Sequence, residues 1–186
     1  MDSHYWEGPE NNKIGFVLST PGQDEENAKR PAAGATGENM NSILTHLHNW
    51  NAALFPSTDR YQYRITNAST KIMYAGKGDG KTQDEDSNII TKTNIDRINE
   101  QMSICEVIIL CGAKAQLIEN HIIGRIVVKA PHLGAKGLHN EYNNRHPDLI
   151  VINDGKLREI TRHKLCAERI ISQIEEQLTI NNKNKY

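Results

Sequence analysis

The sequence contains no long apolar run, no excess of charge of either sign and few cysteines, and each absence excludes a class of protein. No apolar stretch approaches the ~20 residues that a transmembrane helix requires, so we expect no contact with a membrane. Residues 1–7 lack the basic and apolar regions of a secretory signal, which predicts a cytoplasmic protein. The length of 186 residues predicts one domain, residues 13–180, between a polar arm (1–12) and a polar tail (181–186).

The cysteines indicate neither disulfides nor a metal centre. Cys105, Cys111 and Cys166 are an odd number, separated by 6 and 55 residues. This spacing fits neither a disulfide framework nor the paired ligands of a zinc site. Ordinary or buried thiols are the favoured interpretation over a metal site, and we expect no metal and no cofactor.

The charge is balanced overall but unevenly distributed. Lys and Arg number 22 and Asp and Glu 23, for a net charge of -1, whereas a protein that holds nucleic acid by bulk charge is usually basic. Residues 1–40 contain 3 basic and 7 acidic side chains, while residues 121–146 contain 4 basic side chains and a single acidic one, Glu141. Any contact with nucleic acid must therefore use a local patch, and a solvated face is the alternative.

Short apolar runs alternate along the chain with segments of helical periodicity. The predicted strands are 13–19, 61–65, 107–110 and 126–128, with a further short strand possible at 149–152. Apolar residues at helical spacing predict helices between them, with Thr36 as one N-cap, and a long final helix through Ile170 and Ile174. The pattern predicts an α/β fold, a three-layer α/β/α sandwich with a short, mostly parallel central sheet.

Polar and turn-forming residues follow the predicted strands, where ligands bind in such sheets. They are Ser19–Gly22, Thr66–Asn67, Gly112 and Pro131–His132. The glycine-rich stretch at 76–87 predicts a mobile loop, and it is not a phosphate loop because Ala75 stands where the first glycine is required. The sequence therefore predicts a site at the carboxyl ends of the strands.

Three side chains near these ends have both a functional and an ordinary interpretation. The Asn67 amide offers a donor and an acceptor, which suits the edge of a nucleobase, or it caps the next element. Asp24, in an acidic trio after the Pro-Gly turn, could orient water or stabilise a cation, or simply face solvent. His132 has a flexible, basic surround in Gly134, Lys136 and Gly137, but a buried structural imidazole is the alternative.

Four segments together resemble the motifs of the uracil-DNA glycosylase superfamily. Leu18–Gly37 is similar to its first motif, a strand, a Pro-Gly turn, acids, Arg-Pro and two spaced glycines before a helix. Tyr63–Asn67 resembles the strand that ends in Thr-Asn, and Val107–Ala115 resembles the strand-Gly-x-x-Ala segment. Pro131–Gly134 falls where the family has its His-Pro-Ser loop. The segments occur in the family's order and cover roughly residues 13–140.

The resemblance implies hydrolysis of the N-glycosidic bond of an unwanted base flipped out of DNA, with DNA as the partner of a monomer. His132 would donate to the base oxygen that becomes anionic, and Asn67 would read the base edge. Ser19 and Thr20 occupy the turn that positions water or stabilises the sugar cation. The resemblance places Pro21, Gly22 and Ala32 at the base. The local basic patch and the flexible surround of His132 predict DNA contacts at Lys129, Gly134, Lys136 and Gly137.

The chain departs from the family's pattern at three points. Ser19 and Thr20 replace the usual Glu, Gln, Asp or Asn, so water activation would depend on Asp24 or on electrostatics alone. Ala32 replaces an aromatic residue that stacks on uracil, which forgoes about 1–3 kcal/mol and opens space for a larger base. The iron–sulfur branch, whose first motif is the most similar, requires four cysteines and the chain has 3.

These departures leave two principal hypotheses open. The first is a DNA glycosylase for a uracil-like or bulkier modified base, in repair or in defence against modified foreign DNA. The second is a catalytically inactive relative that binds a nucleotide or nucleic acid in the same cleft. Hydrolysis of a free nucleoside or nucleotide is a third possibility.

Overall fold

The computed structural model describes residues 2–10 and 12–183, and its elements alternate much as the sequence predicts. The strands are β1 (Tyr5–Trp6), β2 (Ile14–Leu18), β3 (Arg64–Asn67), β4 (Val107–Cys111) and β5 (Ile126–Ala130). The helices are α1 (Gln23–Ala28), α2 (Ala35–Trp50), α3 (Asp86–Ile89), α4 (Lys92–Gln101), α5 (Ala113–Gln116), α6 (Ala135–Glu141), α7 (Pro147–Ile150) and α8 (Gly155–Lys183). Short 3₁₀ turns lie at Arg60–Gln62 and Glu119–His121.

The strands form one sheet in the order β1-β3-β2-β4-β5. Strands β2 to β5 are parallel to one another, and β1 is antiparallel to β3 at the edge. The chain leaves β2 for β3 on one side and returns to β4 on the other. The mostly parallel sheet is therefore confirmed, and its topological switch point lies between the carboxyl ends of β2 and β4.

Helices cover both faces of the sheet because successive residues of each strand point to opposite faces. In β2, Phe16 packs in a cluster with side chains of α2 and α8, such as Met40 and Ile170. Its neighbour Val17 packs in a second cluster with Ile98 of α4 and with α5. This arrangement gives the three layers expected from the sequence.

The strand predicted at 149–152 is wrong, because this segment contains α7. His146 caps the helix by accepting a hydrogen bond from the Asp148 N–H at 3.3 Å, and Pro147 occupies its first turn. The adjacent sheet edge cannot accept another strand, since the Gln173 and Gln177 side chains of α8 bond to the backbone of β5. The apolar segment therefore turns into a helix that buries Leu149 alone.

Other boundaries also differ from the sequence-based expectations. The polar arm contributes β1, whose Tyr5 and Trp6 pair with Thr66 and Ile65. The second predicted strand begins only at Arg64, and Gly34 rather than Thr36 is the N-cap of α2. Helix α8 continues to Lys183, and the remainder of the predicted polar tail, 184–186, lies outside the described residues. Within the described ranges, no helix combines the length and apolar character needed to cross a bilayer.

Candidate functional site at the switch point

Ser19 and His132 meet at Gly112, where β2, β4 and β5 end. The Ser19 hydroxyl donates to the Cys111 carbonyl at 3.4 Å. Gly112 has φ +91°, and a methyl group on it would lie 3.1 Å from both Ser19 Oγ and His132 Cβ. Only glycine combines this backbone conformation with such a close approach. The structure thus brings three of the predicted strand ends together.

The imidazole of His132 is held as a neutral hydrogen-bond donor. The Gly134 N–H donates to its Nδ1 at 3.0 Å, so this nitrogen is unprotonated and we assign the proton of the neutral ring to Nε2. Burial lowers the pKa of His132, which favours the neutral ring further. Nε2–H makes no hydrogen bond to the described part of the chain and can donate to a ligand.

Two side chains that the sequence analysis missed fix the His132 loop. Asn39 of α2 donates through Nδ2 to the Leu133 carbonyl at 2.8 Å, and its Oδ1 accepts from His163 Nε2 of α8 at 3.2 Å. Asn39 and His163 are both buried. The only signal in the sequence is a polar residue on the apolar stripe of each helix, next to Met40 in α2 and Cys166 in α8.

The side chain of Asn67, at the end of β3, has an unsatisfied buried acceptor. The residue is 3% exposed, and its Oδ1 has no hydrogen-bond partner in the described structure. Leaving a buried acceptor unpaired costs about 1–3 kcal/mol. A hydrogen-bond donor placed against Oδ1 would recover this energy, but the atom is enclosed by protein, so a ligand reaches it only if neighbouring groups move.

The turn after β2 is held in place by Glu25 rather than by the residues singled out in the sequence. One carboxylate oxygen of Glu25 accepts from the Gly22 N–H at 2.8 Å and the other accepts from the Ala33 N–H at 3.1 Å. The Pro21 carbonyl accepts from the Met73 N–H at 2.9 Å. Thr20 Oγ1 is a second buried polar atom without a hydrogen-bond partner in the described structure.

Asp24 and Ala32, which flank the turn in sequence, differ in their access to solvent. Asp24 is exposed, and its carboxylate covers Gly34, where a methyl group would lie 2.0 Å from Oδ2. Ala32 is 1% exposed in the apolar core, with a left-handed backbone at φ 52°. Tyr61 holds this backbone by donating to the Ala32 carbonyl at 3.3 Å. Asp24 is therefore the accessible group, while a base could reach the Ala32 methyl only by displacing core neighbours.

The two lysines predicted to contact DNA differ in whether their charge is paired with a carboxylate. Lys136 is exposed in the first turn of α6, whose N-cap is Gly134, directly after the His132 loop. Gly137 packs on the His132 carbonyl, 2.3 Å from where its Cβ would lie. Lys129 is instead paired with Glu119 at 3.0 Å. Lys136 is therefore next to the site with its ammonium free of ion pairs to the described chain, whereas Lys129 is locally neutralised.

The segment predicted as a mobile loop is anchored to the site by two carboxylates. Glu26 of α1 accepts from the Tyr74 hydroxyl at 2.9 Å and from Lys77 Nζ at 2.5 Å. Asp84 accepts from the Ser69 hydroxyl at 2.7 Å and from Lys71 Nζ at 3.0 Å. The ends of the segment are therefore fixed while residues 78–83 between them are exposed, and the chain is helical from Asp86 as α3.

A groove of about 490 Å³ lies between α2 and α8, and Asn67 does not line it. Asn39 and His163 line it, and the same two residues also line a second groove that reaches Lys136 on α6. The grooves thus begin behind the His132 loop. Across the described residues, no cluster of three or more His, Cys, Asp or Glu side chains is arranged to hold a metal ion.

The buried histidines predict that acid weakens the fold near neutral pH. Burial lowers the pKa values of His46, His132 and His163 below 6.5, so the unfolded chain binds more protons than the folded chain as the pH falls. The free energy of unfolding, measured by urea titration, should decrease from pH 7 to pH 5.5, by at most about 1.4 kcal/mol per pH unit for each such histidine. His163→Gln should flatten the dependence and His139→Gln, on an exposed residue, should not. A stability that rises over this interval would contradict the expectation.

No protein-family model matches this chain, and no curated protein matches it. The functional interpretation therefore depends on the geometry of the site itself.

Proposed function

We propose that the chain is a DNA glycosylase that hydrolyses the N-glycosidic bond of a flipped uracil-like or bulkier modified base. Two observations carry the proposal together: Asn67, at the end of β3, has a buried Oδ1 without a partner, and His132, after β5, is neutral with a free Nε2–H. Both side chains are at the carboxyl edge of a parallel sheet, beside its switch point. A pyrimidine edge offers N–H and carbonyl groups that complement this acceptor and donor.

The proposed reaction breaks the bond between the base nitrogen and C1′ of the sugar. The bonding electrons leave with the base, and the negative charge that develops on its carbonyl oxygen is stabilised by the His132 Nε2–H. The sugar passes through an oxocarbenium-like state and is attacked at C1′ by water, which loses a proton to Asp24 or directly to solvent. The base takes up a proton after it leaves.

Water activation is the step that the residues of the turn support least. Glu25 uses both carboxylate oxygens to hold the turn, so it has limited capacity to accept a proton from water. Thr20 Oγ1 can orient a water molecule but cannot deprotonate it near neutral pH. Asp24 is exposed at the rim and is the carboxylate left for this role. Stabilisation of the leaving base would then supply most of the rate enhancement.

The turn after β2 favours a second candidate, a catalytically inactive relative that binds a nucleotide or nucleic acid. Ser19 and Thr20 provide no carboxylate in the turn, and the Ser19 hydroxyl already donates to the Cys111 carbonyl. A cleft that retains Asn67 and His132 could recognise a base without cleaving its bond. The two candidates differ in turnover but share the recognition geometry.

Cleavage of defined oligonucleotides separates the candidates. Single- and double-stranded DNA containing uracil, hypoxanthine or a bulky modified cytosine is incubated with the protein, and abasic sites are revealed by alkali. A glycosylase produces abasic sites that disappear in folded His132→Ala and Asn67→Ala variants. Binding that weakens steeply with salt, without release of any tested base, supports the binding protein instead. Turnover of free nucleosides but not of DNA contradicts both.

A further inference from the structure

Arg97 of α4 is a part-buried cation whose guanidinium contacts only neutral oxygen atoms. Its Nε donates to Asn94 Oδ1 at 3.0 Å, and its Nη1 donates to Thr66 Oγ1 at 3.0 Å and to Gln101 Oε1 at 2.7 Å. Its Nη2 donates to the Asn67 carbonyl at 2.9 Å and to Asn94 Oδ1 at 2.7 Å. No carboxylate of the described residues lies within ion-pair distance of the guanidinium.

This charge is costly to keep partly removed from water. Burial lowers the pKa of Arg97 to about 10, and the carboxylate of Asp2 opposes this only as a more distant charge. Removing an ion fully from water costs several kcal/mol even in a relaxed protein, unless an opposite charge compensates. The hydrogen bonds of Arg97 to neutral oxygens offset part of this cost without neutralising the charge.

The guanidinium acts on the two strand ends that form the site. It holds the Asn67 carbonyl and approaches the Ala68 carbonyl at 3.4 Å. The N–H groups of the same two peptide units donate to β2, from Ala68 to the Leu18 carbonyl at 2.7 Å and from Ser69 to the Ser19 carbonyl at 3.0 Å. A cation at one end of such a chain polarises each following hydrogen bond. Arg97 therefore positions Asn67 relative to Ser19.

We propose that Arg97 is a positioning residue whose fixed charge makes the site select a ligand that carries or develops negative charge, in the first instance an ionised pyrimidine. The inference rests on the proposed function in one respect, since a departing base is such a ligand. The charge lies directly behind the Asn67 peptide, on the opposite side of the strand end from a base that Asn67 would read. It is not a catalytic residue, because its N–H groups are used within the protein.

Binding of two free pyrimidines tests the proposal without requiring catalysis. The probes are uracil, which is neutral at pH 7.5, and 5-nitrouracil, which is anionic there, and both are titrated into the protein and followed by NMR. The wild-type chain should bind the anion at least about tenfold more tightly, as expected for a unit charge several ångströms away in a partly buried site. Arg97→Gln should lose most of this preference, and Arg97→Lys, which keeps the charge, should retain it.

The controls keep the positioning and charge effects apart. Lys92→Gln removes an exposed cation of the same helix, 88% exposed and paired with Asp96, and should leave the preference unchanged. Should Arg97→Gln fail to fold by circular dichroism, Arg97→Met takes its place. Absence of an anion preference in the wild-type chain, or its persistence in the neutral Arg97 variants, overturns the proposal. A protein that prefers the anion but releases no base contradicts only the glycosylase, and one that releases bases without the preference contradicts only the role of Arg97.

Discussion

Replacing His132 with alanine should slow base release by about 10²–10³-fold, the loss found when a donor to a developing oxyanion is removed. His132 Nε2–H is a free donor because Gly134 holds the opposite ring nitrogen as an acceptor. The effect should fall on the rate of bond cleavage rather than on binding of the oligonucleotide, since the donor acts on charge that develops during the reaction. Single-turnover cleavage of the best substrate measures it.

His139→Ala is the matched control for this loss. His139 lies on α6, seven residues after His132, but it is exposed. Its removal should leave the cleavage rate within about twofold, as for a surface substitution away from the site. Equal losses in the two variants, or a loss below about fivefold in His132→Ala, would show that the His132 ring does not act on the leaving base.

Replacing Asn67 with leucine should abolish recognition of the base without loss of stability. Leucine has nearly the shape of asparagine, and it removes an acceptor that is unpaired in the folded chain. We expect base release to fall by at least about 10²-fold, while the free energy of unfolding stays constant or rises by about 1 kcal/mol. Cleavage assays and urea unfolding at pH 7.5 measure the two quantities.

Asn39→Leu is the same substitution at an equally buried asparagine whose polar atoms are paired. It leaves the Leu133 carbonyl and the His163 imidazole without their hydrogen-bond partner, and it should therefore destabilise the fold by about 1–3 kcal/mol. The contrast between the two variants tests whether Asn67 Oδ1 is unpaired in solution. Equal destabilisation would show that Asn67 has a structural partner and is not held for a ligand.

The local residue pattern predicted most strands and helices correctly, but it failed where an apolar run is compatible with either a strand or a helix. The run at Val107–Cys111 is apolar throughout and becomes a strand buried on both faces, as predicted. The run at Leu149–Ile152 is just as apolar, but the edge of β5 is occupied by Gln173 and Gln177. A residue pattern records apolarity but not whether a sheet edge is free, so the helix α7 could not be predicted from it.

The sequence by itself determined the α/β alternation and the strand ends that carry the candidate site, because apolar periodicity and strand-end turns are properties of consecutive residues. It placed Ser19, Asn67 and His132 at the carboxyl edge, where the structure has them. Only the tertiary structure decided which polar groups are left unpaired and which are used up. Contacts between distant segments leave Asn67 Oδ1 without a partner, pair Lys129 with Glu119 and surround Arg97 with neutral oxygens. Such contacts arise from tertiary packing between residues far apart in the chain, so the order of neighbouring residues does not predict them.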